Sequence, residues 1–254
     1  MTKSSSLLIF LISLIFPLPA QAGKLEDFSL GLAFGLDSTP YRDYDLNYTV
    51  LPVLHLETGH FYIRDNRAGV KLWQKNRVEL SVFGAWDAAY SFNPNHTDNR
   101  QLNFLETRRE SATGGGAIKW GSPIGLLALR LEHDLLRYSS GFKGQASLSK
   151  TFDLRILELN PQAGLYWNDQ KYNTYYFGIN EAEALASGLP TYQAQSAFIP
   201  YIALNIGLGL DEEKLWTLFI TGQINFLPVA IKDSPMVDRS STYNLATGLT
   251  YSFR

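Results

Sequence analysis

The sequence has no cysteine, two methionines, no block of like charge and few charges of either sign. Its 22 Lys and Arg stand against 24 Asp and Glu, 18% of 254 residues, for a formal charge of -2. Without cysteine there is no disulfide framework, no thiolate metal site and no cysteine to carry a lipid. Without clustered Lys and Arg the chain lacks the phosphate contacts of a dedicated nucleic-acid binder. His55, His60, His96 and His133 show no His-Glu-x-x-His or other tight ligand spacing, and no motif calls for a metal or cofactor. What the chain does have is 45% hydrophobic and 13% aromatic residues, too many for disorder.

The first 22 residues read as a signal peptide. Lys3 precedes the apolar run Leu7 to Phe16, then come Pro17, Pro19 and the small-x-small triplet Ala20-Gln21-Ala22. The run is too short to span a bilayer. Cleavage is expected before Gly23, leaving residues 23–254 as one β domain.

Beyond that run no stretch is apolar enough for a membrane helix, and the dominant period is two. Phe28, Leu30, Leu32, Phe34 and Leu36 alternate with Ser29, Gly31, Ala33 and Gly35. Tyr243, Leu245, Leu249, Tyr251 and Phe253 alternate with Asn244, Gly248, Thr250 and Ser252. Twelve such segments are drawn: 27–36, 48–57, 60–65, 67–73, 78–88, 110–120, 124–134, 142–151, 155–167, 196–210, 215–227 and 241–253. Alternation alone fits a soluble β-sandwich as well as a membrane barrel. Loop length separates them, because outer-membrane barrels have short periplasmic turns and long outer loops.

Counted from the periplasm, the inward connections come out short: 58–59, 74–77, 121–123, 152–154 and 211–214. The outward ones include 37–47, 89–109, 135–141, 168–195 and 228–240, with a tight turn at Asn66 as the exception. Reading 60–73 as one strand would make the count odd and put the loop at 89–109 inside. The expected fold class is therefore all-β, a transmembrane antiparallel β-barrel of 12 strands with both termini periplasmic. Tyr48, Trp86, Trp120, Trp167, Trp216 and Tyr251 near strand ends suit its interfacial girdles. Outer-membrane lipid is the expected surrounding.

The apparent chemical motifs are weak. Gly114-Gly115-Gly116 lacks the Lys-Ser/Thr of a phosphate loop and begins a strand, so it is read as relief of crowding in the wall. In Glu132-His133-Asp134, adjacent residues of a regular strand point to opposite faces. Glu132 and Asp134 are thus expected in the lumen and His133 outside. No nucleophile accompanies them, so no catalytic residue is assigned. Glu79, Arg130, Glu132 and Glu158 are the expected lumen charges. Their mixed signs fit either a water-filled passage or cross-lumen ion pairs.

The stretch Tyr175-Tyr176-Phe177-Gly178-Ile179-Asn180-Glu181-Ala182-Glu183-Ala184, continued by Ser187-Gly188-Leu189-Pro190-Thr191-Tyr192, resembles the signature loop of the MltA-interacting protein / OmpV family of outer-membrane proteins. Asp233-Ser234-Pro235-Met236-Val237-Asp238 resembles a second block of that family, and Leu51-Pro52 and the ending Tyr251-Ser252-Phe253 are further points of likeness. Two departures stand out. The first outer loop reads Tyr41-Arg42-Asp43-Tyr44-Asp45, and Arg254 follows the terminal Phe253. The resemblance implies a non-enzymatic barrel, known best as a scaffold joining a murein hydrolase (a lytic transglycosylase) to a bifunctional penicillin-binding synthase, with other members acting at the cell surface.

Short periplasmic turns offer little area against the roughly 800 Å² per partner of a standard interface. The long outer loop is instead the expected recognition or lid element, carried by Tyr175, Tyr176, Gly178, Glu183, Ser187, Gly188, Pro190 and Tyr192, with Asp233, Ser234, Pro235 and Asp238 beside it. Within it, Glu181 to Ser187 has the composition of a short helix ended by Gly188. A small-solute channel is the alternative function, and a barrel hydrolase the third.

Overall fold

A computed structural model describes residues 25–64 and 66–253. The expected signal peptide, residues 1–22, and Arg254 lie outside them. The described strands are β1 (Leu25–Asp37), β2 (Asn47–Thr58), β3 (Phe61–Arg64), β4 (Arg67–Lys75), β5 (Val78–Asp87), β6 (Ser111–Ser122), β7 (Gly125–Asp134), β8 (Phe142–Ser149), β9 (Phe152–Leu154), β10 (Leu157–Asn168), β11 (Ala197–Gly209), β12 (Trp216–Phe226) and β13 (Ser241–Phe253). Each pairs antiparallel with its neighbours, and β13 returns to pair with β1 from Phe28↔Phe253 to Asp37↔Asn244. The sheet is a closed barrel, so it has no terminal edge strand.

The barrel has twelve staves because β8 and β9 lie on one line. β8 pairs with Gln162–Asn168 of β10 and β9 with Leu157–Leu159 of the same strand. Residues 152–154, read from the sequence as a turn, are in fact this short continuation of β8. The interruption falls opposite Pro161, which has no N–H to offer a neighbour. Pro200 likewise lies just beyond the pairing of β12, which reaches Tyr201↔Asn225. The split of 60–73 into two strands around Asn66 holds as β3 and β4.

The two faces are chemically opposite. Phe34 is 65% exposed on the outside while the adjacent Ala33 is 7% exposed on the inside. Leu32, Val50, Leu129, Leu131, Phe198, Ile202 and Phe226 continue the exposed apolar face. This outward grease rules out the sandwich, whose apolar faces would be covered. In β4 a bulge between Lys71 and Trp73 turns both Leu72 and Trp73 outward, and Lys71 stays buried within. Among the described residues no helix is long and apolar enough to cross a membrane.

The five short turns gather at one end and the long loops at the other. Asn76 and Arg77 both have positive φ, the backbone of a mirror-image two-residue hairpin, which matches the twist of the strands it joins. Gly115 answers the crowding expected of the glycine triplet, since a Cβ there would overlap the Leu131 carbonyl.

Candidate functional site

Four outer loops, residues 38–46, 88–110, 169–196 and 227–240, fold together into a cap. The third carries α1 (Gln170–Phe177) and α2 (Glu181–Ser187), and the fourth carries α3 (Val229–Lys232). α1 starts at Asp169, whose side chain accepts from the Tyr172 N–H at 2.8 Å. α2 is the helix expected at Glu181 to Ser187. Asn180 Oδ1 accepts from Glu183 N at 2.9 Å while Glu183 Oε2 accepts from Asn180 N at 3.1 Å, a complete capping box. It ends at Gly188, whose φ of 72° a side chain would strain. The sequence predicts loop at both α1 and α3, because α1 carries three tyrosines and an asparagine among its eight residues and α3 is one turn long.

The cap has its own apolar core, distinct from the barrel wall. Tyr41, Phe92, Phe177, Ile179, Met236 and Val237, one or two from each loop, are all buried against one another. The core also takes in Ile199, on the inner face of β11. The cap is thus seated in the mouth of the barrel.

Hydrogen bonds lace the loops across this core. Arg108 Nη2 donates to Glu183 Oε1 at 2.7 Å and to the Gly178 carbonyl at 3.0 Å, both deeply buried. Glu183 also accepts from Glu106 N at 2.9 Å, so one carboxylate closes a capping box and clamps a neighbouring loop. Tyr175 Oη accepts from Arg109 N at 2.8 Å, and Tyr176 Oη donates to the Arg109 carbonyl at 3.1 Å. Tyr41 Oη donates to the Tyr90 carbonyl at 2.7 Å. Ser234 Oγ donates to the Phe177 carbonyl at 2.7 Å, and Tyr192 Oη to the Ala230 carbonyl at 3.0 Å. Tyr172 Oη donates to Asp87 Oδ2 at 2.8 Å, tying the cap to the top of β5. Burial pushes the hydroxyls of Tyr41, Tyr90, Tyr172 and Tyr176 well above their ordinary range, because the tyrosinate would lose its water.

The expected loop residues fall into two groups. Tyr176, Gly178, Glu183 and Ser187 are buried in the lacing, with Ser187 Oγ donating to the Glu183 carbonyl at 2.6 Å. Tyr175 and Tyr192 are half-buried, and Gly188 and Pro190 are exposed. In the second block Ser234 is buried, Pro235 half-buried, and Asp233 and Asp238 exposed. The backbone N–H of Asp238 donates to the Pro40 carbonyl at 3.4 Å.

The lumen charges sort into clusters. Glu79 meets Arg64 at 3.0 Å and Lys119 at 3.5 Å, while Glu57 binds Arg64 and, at 2.6 Å, Lys71. Nearer the mouth, Glu132 meets Arg130 at 3.3 Å and accepts from Thr113 Oγ1 at 2.7 Å, and Lys143 meets Asp87 at 2.9 Å. Glu158 is exposed near the periplasmic end of β10 and belongs to neither cluster. Opposite signs therefore neutralise one another along the inner wall, on one stave or up to three staves apart. Glu57, Arg64, Lys71 and Asp87 also carry these contacts. Their inward positions are readable from alternation, but their partners lie on strands whose register is set by the whole barrel, and the loop residue Arg108 has no periodic signal at all.

The Glu132-His133-Asp134 segment holds no triad. His133 Nδ1 lies 3.0 Å from the Gly141 carbonyl and its ring packs on Phe142 at 4.4 Å. Asp134 on the other face takes hydrogen bonds from Ser111, Ser139 and the 137–140 turn. No group of His, Asp or Glu suited to a metal ion occurs among the described residues.

Known proteins resemble the chain throughout. It is 30% identical over 240 residues to an Escherichia coli (strain K12) outer membrane protein, YiaT, covering 94% of this chain and 96% of that one. It is 30% identical over 226 residues to the MltA-interacting protein of the same organism, 89% and 90% of the two chains. OmpV of Vibrio cholerae shares 26% over 129 residues, about half of each. An outward apolar belt, short turns at one end and these relatives together place the protein in the outer membrane. The model of the family described as MltA-interacting protein MipA matches residues 30–253, and the chain belongs to that family.

Proposed function

We propose that the protein is a non-enzymatic interaction barrel of the outer membrane, capped outside and offering its periplasmic rim to murein enzymes. The observation that carries this reading is the cap. A packed core of aromatic and aliphatic side chains across the outer mouth supports a closed barrel, since an open solute channel needs a polar, hydrated path along its axis. The name of the Escherichia coli relative supports a partner of the MltA kind.

The rim available for such a partner is made of the short turns, whose small area fits a weak, transient contact rather than a standard interface. Arg77, Arg155 and Lys214 sit there in the left-handed region, with φ of 67°, 66° and 54°. Arg77 and Arg155 are exposed, while Lys214 Nζ meets Asp153 Oδ1 at 3.0 Å. Photo-crosslinkers placed at Arg77 and Arg155, and separately at Leu185 on the cap, test the reading in growing cells. Capture of a murein hydrolase or synthase from the two turn positions and not from Leu185 supports it. Capture of no murein enzyme from either turn overturns the partner assignment.

A further inference from the structure

The ion pairs of the lumen are lopsided. In three of them the acid is pressed into the wall while the cation stays in reach of water. The side chain of Lys119 is 30% exposed against 11% for Glu79, that of Lys143 20% against 3% for Asp87, and that of Arg130 16% against 3% for Glu132. All three cations stand on the inner face, so this exposure is to space inside the barrel.

Register sets the three cations in a line. Lys119 of β6 pairs with Ala128 of β7, and Arg130 is the next residue on that inner face. Arg130 in turn pairs with Gln145 of β8, and Lys143 is the next inward residue there. Each step is one stave across and two residues up, a diagonal of roughly 7 Å. The line climbs from near the periplasmic end of β6 to Lys143 under the cap, where Asp87 takes both Lys143 and the hydroxyl of Tyr172.

Arg130, at the centre, is the least satisfied of the three. Its Nε lies 3.3 Å from Glu132 Oε1, and its two terminal nitrogens have no hydrogen-bond partner among the described residues. Lys119 Nζ has a single ion pair among those residues, to Glu79 at 3.5 Å. Charges that merely braced the wall would close their donors on acceptors of the barrel, as buried polar groups do. An open guanidinium fork is instead the geometry that receives a carboxylate through two parallel hydrogen bonds.

We propose that this line is a luminal site for an extended polycarboxylate, a short acidic peptide or acidic sugar chain. The cap covers the outer end, so the ligand enters from the periplasm. Along an extended peptide, side chains i and i+2 share a side about 7 Å apart, so alternate glutamates match successive steps of the line. Arg130 takes one carboxylate in its fork, and Lys119 and Lys143 attract the flanking ones as point charges. Glu79, Glu132 and Asp87 hold the cations in place from behind. The inference stands apart from the periplasmic partner reading, since the barrel alone should bind.

The test is titration calorimetry of the full-length folded barrel in a non-ionic detergent. The probes are pentaglutamate with blocked ends, pentaglutamine with blocked ends as its uncharged match, and trigalacturonate, which separates a sugar backbone from a peptide one. Binding of at least one of the two anions is expected, weakening as salt rises, with none from pentaglutamine. Arg130→Gln should weaken that binding about tenfold or more, the scale of a lost hydrogen bond between charged groups. Lys119→Gln, nearer the periplasmic end and less enclosed, should weaken it as well, and it carries the test if Arg130→Gln does not give the heat-dependent gel shift of a folded barrel. Absence of binding by both anions would overturn the site. So would equal binding of pentaglutamine, or undiminished affinity in the folded variants.

Discussion

Arg108 and Glu183, 75 residues apart in sequence, meet at 2.7 Å inside the cap with almost no exposure to solvent. The pair joins the loop after β5 to the first turn of α2. Removing one partner of a buried ion pair leaves an uncompensated charge, at a cost of about 3–5 kcal/mol. Arg108→Ala should therefore loosen the cap while leaving the barrel formed. Limited proteolysis of vesicle-embedded protein checks this, with new cleavage expected between residues 169 and 196. Arg108→Met combined with Glu183→Met should be closer to the native pattern than Arg108→Ala alone.

The capping box predicts a smaller, separable effect. Asn180→Ala removes the acceptor of the Glu183 N–H but keeps the clamp carboxylate. Losses of about 1 kcal/mol are usual for such caps. Amide exchange at Glu183 should accelerate several-fold less in this variant than in Arg108→Ala, and the reverse order would show that α2 holds the cap rather than the ion pair.

Alkaline pH should open the cap before the barrel. The hydroxyls of Tyr41, Tyr90, Tyr172 and Tyr176 are raised, chiefly by burial. In the opened cap they titrate near their ordinary value of about 10. A raised folded pKa means that the folded cap binds more protons above that value, so its stability is fully present at neutral pH and falls as pH rises past about 10. Tyrosinate absorbance and cap proteolysis should rise together in that range, with Tyr172→Phe titrating one fewer group.

The wall is tested by glycine. A Cβ on Gly115 would overlap the Leu131 carbonyl, whereas one on Gly84 meets only Thr113 O at 3.8 Å. Gly115→Ala should cost about 1–3 kcal/mol as overpacking and lower the yield of folded barrel. Gly84→Ala should leave the yield near that of the native protein.

Much of this architecture was legible from alternation and loop length. Phe34 beside Ala33 announces a two-faced wall, and the parity of long and short connections requires the split at Asn66. Glu181 to Ser187 followed by Gly188 spells a helix and its stop. What alternation cannot convey is pairing between distant segments. The break after Ser149 is imposed by Pro161 on the neighbouring stave, and Phe152–Leu154 has no helical or turn signal of its own. In the cap, Arg108 looks like any loop arginine until the fold brings Glu183 to it. The signature loop drew notice to Tyr176 and Glu183 by resemblance, and their contacts supply the physical reason for those residue types: each spans two loops.

Single-channel conductance in planar bilayers reads most directly whether these laced loops seal the outer mouth of the barrel. The native protein should give no discrete steps, while a variant with residues 169–196 replaced by a short glycine linker should give steady openings. Steps in the native protein equal to those of the shortened one would contradict the seal.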